Sequence, residues 1–152
     1  MVNFKSPITK IKVVKDVIPP PVQGPTERPK TITGRTTKIK PGHISEALYI
    51  TINDIDGRLH EIFVNTKNVD LAEHAQIVTR LVSAAWRQAP NPEFIVEELK
   101  AVQSHDAYFY EGRFYSSIYA HIGSIIEERM IELNALKTPI SVGPVERCVN
   151  CE

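Results

Sequence analysis

Residues 46–65 read EALYITINDIDGRLHEIFVN, and their alternation decides the fold. Leu48, Ile50 and Ile52 occupy every second position, as do Ile62 and Val64 further on, so each run carries one apolar face. Between the runs stands Asp56-Gly57, a dipeptide that readily takes the positive φ angles of a tight hairpin turn. The stretch predicts two antiparallel strands. From Asp70 to Gln88 the period changes: Leu71, Ala75, Val78, Val82 and Ala85 recur every three or four positions, as on a helix laid against a sheet. Asn68 or Asp70 is placed to cap that helix, and Pro90 and Pro92 prevent its continuation. A shorter helix starts at Asn91-Pro92-Glu93, with Phe94, Ile95, Leu99 and Val102 expected on its buried side.

Working outward, Thr31 to Lys40 (TITGRTTKIK) alternates β-branched and polar residues and predicts an edge strand, turned into the hairpin by Pro41-Gly42. Three sequential strands joined by short connections make an antiparallel meander. On the other side, AYFYEGRFY (107–115) predicts a second, short hairpin with Tyr108 and Tyr110 facing Phe114 or Tyr115. Such a cluster covers a core through cross-strand contacts, or it stacks nucleobases. Ser116 or Ser117 then caps a helix running to about Leu136. Ile118, Ile122, Ile125, Ile126, Met130 and Leu133 form its apolar stripe, and Glu127, Glu128 and Glu132 its expected wet face. The predicted fold class is α+β: a small antiparallel sheet, as a three-strand meander plus a short hairpin, packed by two or three helices.

Two tails flank this body. Residues 1–30 read as an extended, basic, proline-rich arm, 31–136 as the domain, and 137–152 as a flexible tail. In the arm only IKVVKDVI (11–18) has strand character, and Pro19-Pro20-Pro21, Pro25 and Pro29 follow it. Such a segment is a linker or a strap on a partner surface. Net charge is zero across 152 residues, yet the first forty hold nine Lys/Arg against two acids, and the remainder nine against sixteen. A basic arm on an acidic body binds an anionic partner or folds back on itself.

Composition narrows the class. At 42% hydrophobic and 24% charged the chain matches globular proteins with one core, and no apolar run approaches the roughly 20 residues of a membrane helix. No signal peptide is read at the N-terminus, and two cysteines are too few for a disulfide-stapled scaffold. The expected compartment is cytoplasmic.

Chemistry concentrates at one place, Cys148-Val149-Asn150-Cys151. Two thiols at this spacing close into a disulfide, exchange with another disulfide, or supply two of four zinc ligands shared between chains. An incidental exposed dithiol is the remaining alternative. His43, His60, His74, His105 and His121 show no zinc-finger spacing, and those placed in strands or helices read as structural. Neither a phosphate-binding glycine loop nor a nucleophile–base arrangement is legible, and Gly34-Arg35-Thr36-Thr37 is a weak anion candidate.

The blocks RPKTITGRTTKIK (28–40), EALYITINDIDGRLHEIFVN (46–65), VTRLVSAAWRQ (78–88), FIVEELKAV (94–102) and YEGRFYSSIYAHIGSIIEERM (110–130) follow one another along the chain, in the same order as in the family they resemble. Together they resemble the C-terminal TSCPD-type domain of adenosylcobalamin-dependent (class II) ribonucleotide reductases. LYITIND, EIFVN and FIVEELKAV are the most specific blocks. The resemblance implies a small separate subunit, or a stand-alone relative, serving a reductase large subunit that holds the adenosylcobalamin; this chain itself is expected to bind no cofactor. Cys148 and Cys151 resemble the CxNC of the family's mobile tail, which implies that they relay electrons from a thioredoxin-type reductant to the large subunit's active-site disulfide. The barrel and its radical cysteine are absent, so the chain is not expected to reduce a nucleotide alone. The literal TSCPD residues are also missing: YSSIYAHIG (115–123) stands in that place, and the family's tail often carries further cysteines and glycines after its CxNC. The alternative is a non-catalytic binding or structural protein, attached through residues 1–30 to nucleic acid, a larger assembly or copies of itself.

Overall fold

The computed structural model of the protein describes residues 27–88 and 93–140. The meander forms as expected from β1 (Thr33–Ile39), β2 (Leu48–Ile55) and β3 (Arg58–Thr66), antiparallel and in the order β1-β2-β3. Asp56 and Gly57 take φ of 50° and 77°, the left-handed values that a two-residue turn between twisted strands requires. Register sets Ile50 opposite Val64 and Ile52 opposite Ile62, and a bulge between Asn53 and Asp54 shifts the pairing near the turn. One face of the sheet carries the buried Ile39, Leu48, Ile50, Ile52 and Ile62. The opposite face leaves Tyr49 and Phe63 nearly half exposed, at 43% and 45%.

Gly34 is where β1 meets that outer face most closely. A Cβ on it would lie 1.9 Å from Asn53 Oδ1 and 2.6 Å from the Ile52 carbonyl oxygen, so no side chain fits. Asn53 donates to Glu61 at 2.8 Å, and Glu61 also takes Arg28 through its Nε at 2.9 Å. The glycine thus leaves room for a polar cluster that fastens the chain entering β1 onto β3.

Helix α1 (Val69–Gln88) is capped by Asn68, whose Oδ1 accepts from the Leu71 N–H at 3.0 Å. It packs along β3 and does more than cover a face. Ser83 Oγ accepts from the Ile62 N–H at 2.9 Å and donates to the Ile62 carbonyl at 3.2 Å, so a helix hydroxyl satisfies both groups of an edge-strand residue. Ala75, Val82 and Trp86 are buried on this side, while Val78 is half-buried. The predicted start at Asn91-Pro92 lies outside the described residues.

Helix α2 (Glu93–Ala101) corrects the sequence reading in its phase. Ile95, Val96 and Leu99 are its buried residues, whereas Phe94 is 51% and Val102 36% exposed. At 100° per residue, position 94 lies about 200° from Val96, which is among the most deeply buried side chains. The arc centred on 95, 96 and 99 took the core, and Phe94 was left outside.

The second hairpin pairs β4 (Tyr108–Tyr110) with β5 (Arg113–Tyr115), turning through Glu111 and Gly112 at φ 49° and 77°. Tyr108 faces Tyr115, Phe109 faces Phe114 and Tyr110 faces Arg113. Helix α3 (Ile118–Glu132) begins at Ser117, whose hydroxyl accepts from the Ala120 N–H at 3.0 Å. It stops four residues short of Leu136, because Asn134 turns left-handed at φ 55° and the Ala135 N–H returns to the Met130 carbonyl at 2.9 Å. Ile122, Ile126 and Met130 are at or below 1% exposure, so α3 is the central pillar against which α2 and the sheet close.

Candidate functional site

Cys148 and Cys151 lie outside the described residues, as does the strand-like stretch of the basic arm. What the structure does define is how Ile140, eight positions before Cys148, is held. Gly123 on α3 sits where a Cβ would come within 3.0 Å of Leu99 Cβ and 3.3 Å of the Lys100 backbone nitrogen, so α2 and α3 approach closely there. One helical turn beyond Gly123 is Glu127. Its carboxylate accepts from Lys100 Nζ at 3.0 and 3.1 Å. Both side chains are largely buried, with the lysine 19% and the glutamate 10% exposed. The same pair holds the backbone of Ile140: Glu127 accepts its N–H at 2.5 Å, and Lys100 donates to its carbonyl at 2.6 Å.

Glu127 is therefore not on the wet face that sequence periodicity assigned to it. Its neighbours are paired differently, Glu128 with Arg113 at 2.9 Å and Glu132 with Arg35 and Arg129. Arg129 also holds Asp54 at the end of β2, which ties the last turn of α3 to the sheet. Arg35, in the Gly34-to-Thr37 stretch, is paired with Glu132 at the surface rather than set beside a second cation. Apart from Arg129 and Glu132, three residues apart on α3, these partners are distant in sequence, so only the fold reveals them.

The aromatic segment forms a second built cluster. Tyr108 and His121 hydrogen-bond through the hydroxyl and Nδ1 at 2.9 Å, and the imidazole stacks on Tyr115 with centroids 3.8 Å apart. Tyr110 and His43 complete the surround, at 5.1 Å from His121 and 4.8 Å from Tyr108 respectively. Burial, with Arg113 nearby, pushes the His121 pKa down to about 4, and burial raises the phenols of Tyr108 and Tyr115. The histidine is a neutral structural element, as its helical position suggested. Phe109 and Phe114 make the exposed side of the hairpin, at 75% and 60% exposure with centroids 5.4 Å apart.

That depressed pKa has a measurable consequence. In the unfolded chain a histidine titrates near 6.5, and in the fold His121 resists protonation until about pH 4. Above pH 6.5 both states are neutral there and no dependence arises. Between 6.5 and 4 only the unfolded state takes the proton, so stability falls with falling pH, by about 3 kcal/mol over the interval. Urea titrations from pH 7 to 4 should show this slope in the wild type and a shallower one in His121→Gln. Parallel profiles would show that His121 does not carry the effect.

His60 is buried with Nε2 unpartnered, and burial lowers its pKa; His74 is exposed and its Nδ1 lies 3.1 Å from the Asp70 carbonyl. Beside His60, burial raises the Glu61 pKa, but the bonds from Arg28 and Asn53 outweigh it and hold the carboxyl below its usual range. Among the described residues no group of three or more His, Cys, Asp or Glu is arranged to hold a metal ion. A cavity of about 280 Å³ opens at the start of α3, lined by His43, Gln103, Ser104, Asp106, Ser117 and Tyr119 among others. No helix among the described residues is long and apolar enough to cross a membrane.

A family model, the TSCPD domain, matches residues 15–130. The match begins thirteen residues before Arg28 and so reaches into the proline-rich segment, further than the sequence blocks noted above. It runs to Met130 across YSSIYAHIG, which the structure resolves as the end of β5, the α3 cap and the first turns of α3. No curated protein and no solved structure matches the chain.

Proposed function

The chain belongs to the TSCPD domain family, and from that premise we propose that it is an accessory component of an adenosylcobalamin-dependent ribonucleotide reductase, relaying electrons through Cys148 and Cys151. The TSCPD domain is associated with ribonucleotide reductases. The observation that carries the reading is the family match over 15–130 in a chain that also holds the dithiol Cys148-Val149-Asn150-Cys151.

The step balances without any oxidant or metal in this chain. A thiolate of the tail attacks one sulfur of a disulfide in the large subunit and forms a mixed disulfide, releasing the other partner sulfur as a thiolate. The second tail thiolate then attacks its neighbour's sulfur, leaving the partner with two thiols and the tail with a Cys148–Cys151 disulfide. A thioredoxin-type reductant supplies two electrons and two protons to restore the tail dithiol. Adenosylcobalamin, which initiates the radical chemistry of nucleotide reduction, belongs to the large subunit in this reading. Arg147 favours the thiolate at Cys148, while Glu146 and Glu152 oppose it. Exchange therefore accelerates as pH rises toward the ordinary thiol value of about 8.5.

The reading is tested by titrating the full chain against glutathione and thioredoxin buffers with a thiol-trapping readout. A reversible two-electron couple near the thioredoxin potential of about −270 mV supports the relay. If no intramolecular disulfide forms under any poise, the relay is ruled out.

A further inference from the structure

Ile140 is held at both its N–H and its carbonyl by the Lys100–Glu127 pair, an ion pair contributed by two different helices. A pair that only joined α2 to α3 would need no backbone from a third segment. Here the carboxylate and the ammonium each spend a bond on one residue of the departing chain. The arrangement depends on the tight crossing at Gly123, which brings Lys100 over the turn that carries Glu127.

We propose that the Lys100–Glu127 pair is a positioning site for the segment that leads to Cys148 and Cys151, a clasp on Ile140 that sets where that segment is tethered. The proposal rests on the reading that these thiols serve a partner disulfide. Cys148 stands eight positions beyond Ile140 and Cys151 eleven. A fully extended chain covers at most about 3.6 Å per residue, so the two cysteines reach about 29 and 40 Å from the clasp. The partner's disulfide must therefore come within that radius of the α2–α3 crossing.

Releasing the clasp moves the root. Leu136, buried and bonded through its N–H to the Met130 carbonyl, is the next fixed residue toward the domain. Four more residues are then free, which adds about 14 Å of reach. The effective concentration of the thiols at a fixed target falls by about twofold, following the −3/2 power of tether length.

The experiment uses the full-length protein. Amide hydrogen exchange is followed at Ile140, and the distance distribution between spin labels at Cys148 (with Cys151→Ser) and at Lys38→Cys is recorded. Each is compared between the wild-type pair and Lys100→Met/Glu127→Leu, which removes both charges and leaves neither buried alone. With the clasp, the Ile140 amide exchanges at least about tenfold more slowly than an open peptide. In the double variant that protection is lost and the distances broaden and lengthen, while the β2 amides stay protected. Exchange at the open-peptide rate in the wild type overturns the proposal, and so does an unchanged distance distribution in the folded double variant. If the double variant does not fold, the wild-type rate and Lys100→Gln decide in its place. Lys100→Gln is expected to speed Ile140 exchange and lengthen the distances, and unchanged values overturn the clasp. The redox titration fails separately: a missing Cys148–Cys151 disulfide with a protected Ile140 sinks the relay and leaves the clasp.

Discussion

Serine at Cys148 or at Cys151 is expected to stop thioredoxin-driven turnover of an adenosylcobalamin-dependent reductase large subunit that lacks a cysteine tail of its own. The loss should be about 100-fold or more, because one thiol can form the mixed disulfide but cannot resolve it, and without the other the mixed disulfide never forms. A first turnover from a pre-reduced large subunit needs no tail and should be unaffected. Dithiothreitol, small enough to reach the active-site disulfide directly, should restore multiple turnover to both variants. Neither change should move the thermal melt, since the core is built from residues 39–136 and the relay reading assigns both cysteines to exchange rather than to packing. Thioredoxin-dependent turnover at the wild-type rate in either variant would end the relay reading.

The second large effect is on stability. Ile126 has no exposed surface and sits in the middle of α3 among Ile122, Met130 and the buried face of β2. Ile126→Ala removes three carbons and leaves a cavity that α2 and the sheet cannot both close. The expected cost is about 2–5 kcal/mol, a large part of the about 5–15 kcal/mol that holds a domain folded. Denaturant unfolding measures it directly as a fall in midpoint at unchanged slope. A cost below about 1 kcal/mol would show that α3 is not the pillar described. Together the two experiments separate the chain's scaffold from its chemistry, since each should leave the other's readout intact.

How far the sequence reached follows from the range of the interactions involved. Strand alternation, the Asp56-Gly57 turn and the end of α1 near Gln88 are set by neighbours within a few residues and were legible in the chain, whereas each cap was narrowed only to a pair, from which the structure selects Asn68 over Asp70 and Ser117 over Ser116. The short aromatic hairpin was legible too, but its register was left between Phe114 and Tyr115; the structure pairs Tyr108 with Tyr115, and Tyr110 faces Arg113 rather than an aromatic ring. The phase of α2 did not follow, because Phe94 and Val96 are equally apolar in the sequence and only the position of α3 chooses between them. The end of α3 was missed for a similar reason, since Asn134 is one left-handed residue in a run that otherwise continues the helical period. The dithiol was visible as a motif, and the family resemblance gave it a role. The grip on Ile140 was not visible: Lys100, Glu127 and Ile140 are spread over forty residues, and Glu127 looks like any solvated acid on a helix. An isolated carboxylate belongs in water, and only a lysine and a free peptide delivered by the packing of two other segments make its burial favourable. The sequence by itself therefore determined which elements form and which residues carry thiol chemistry. The tertiary structure alone decided which charges leave water, and with them how Ile140 is held.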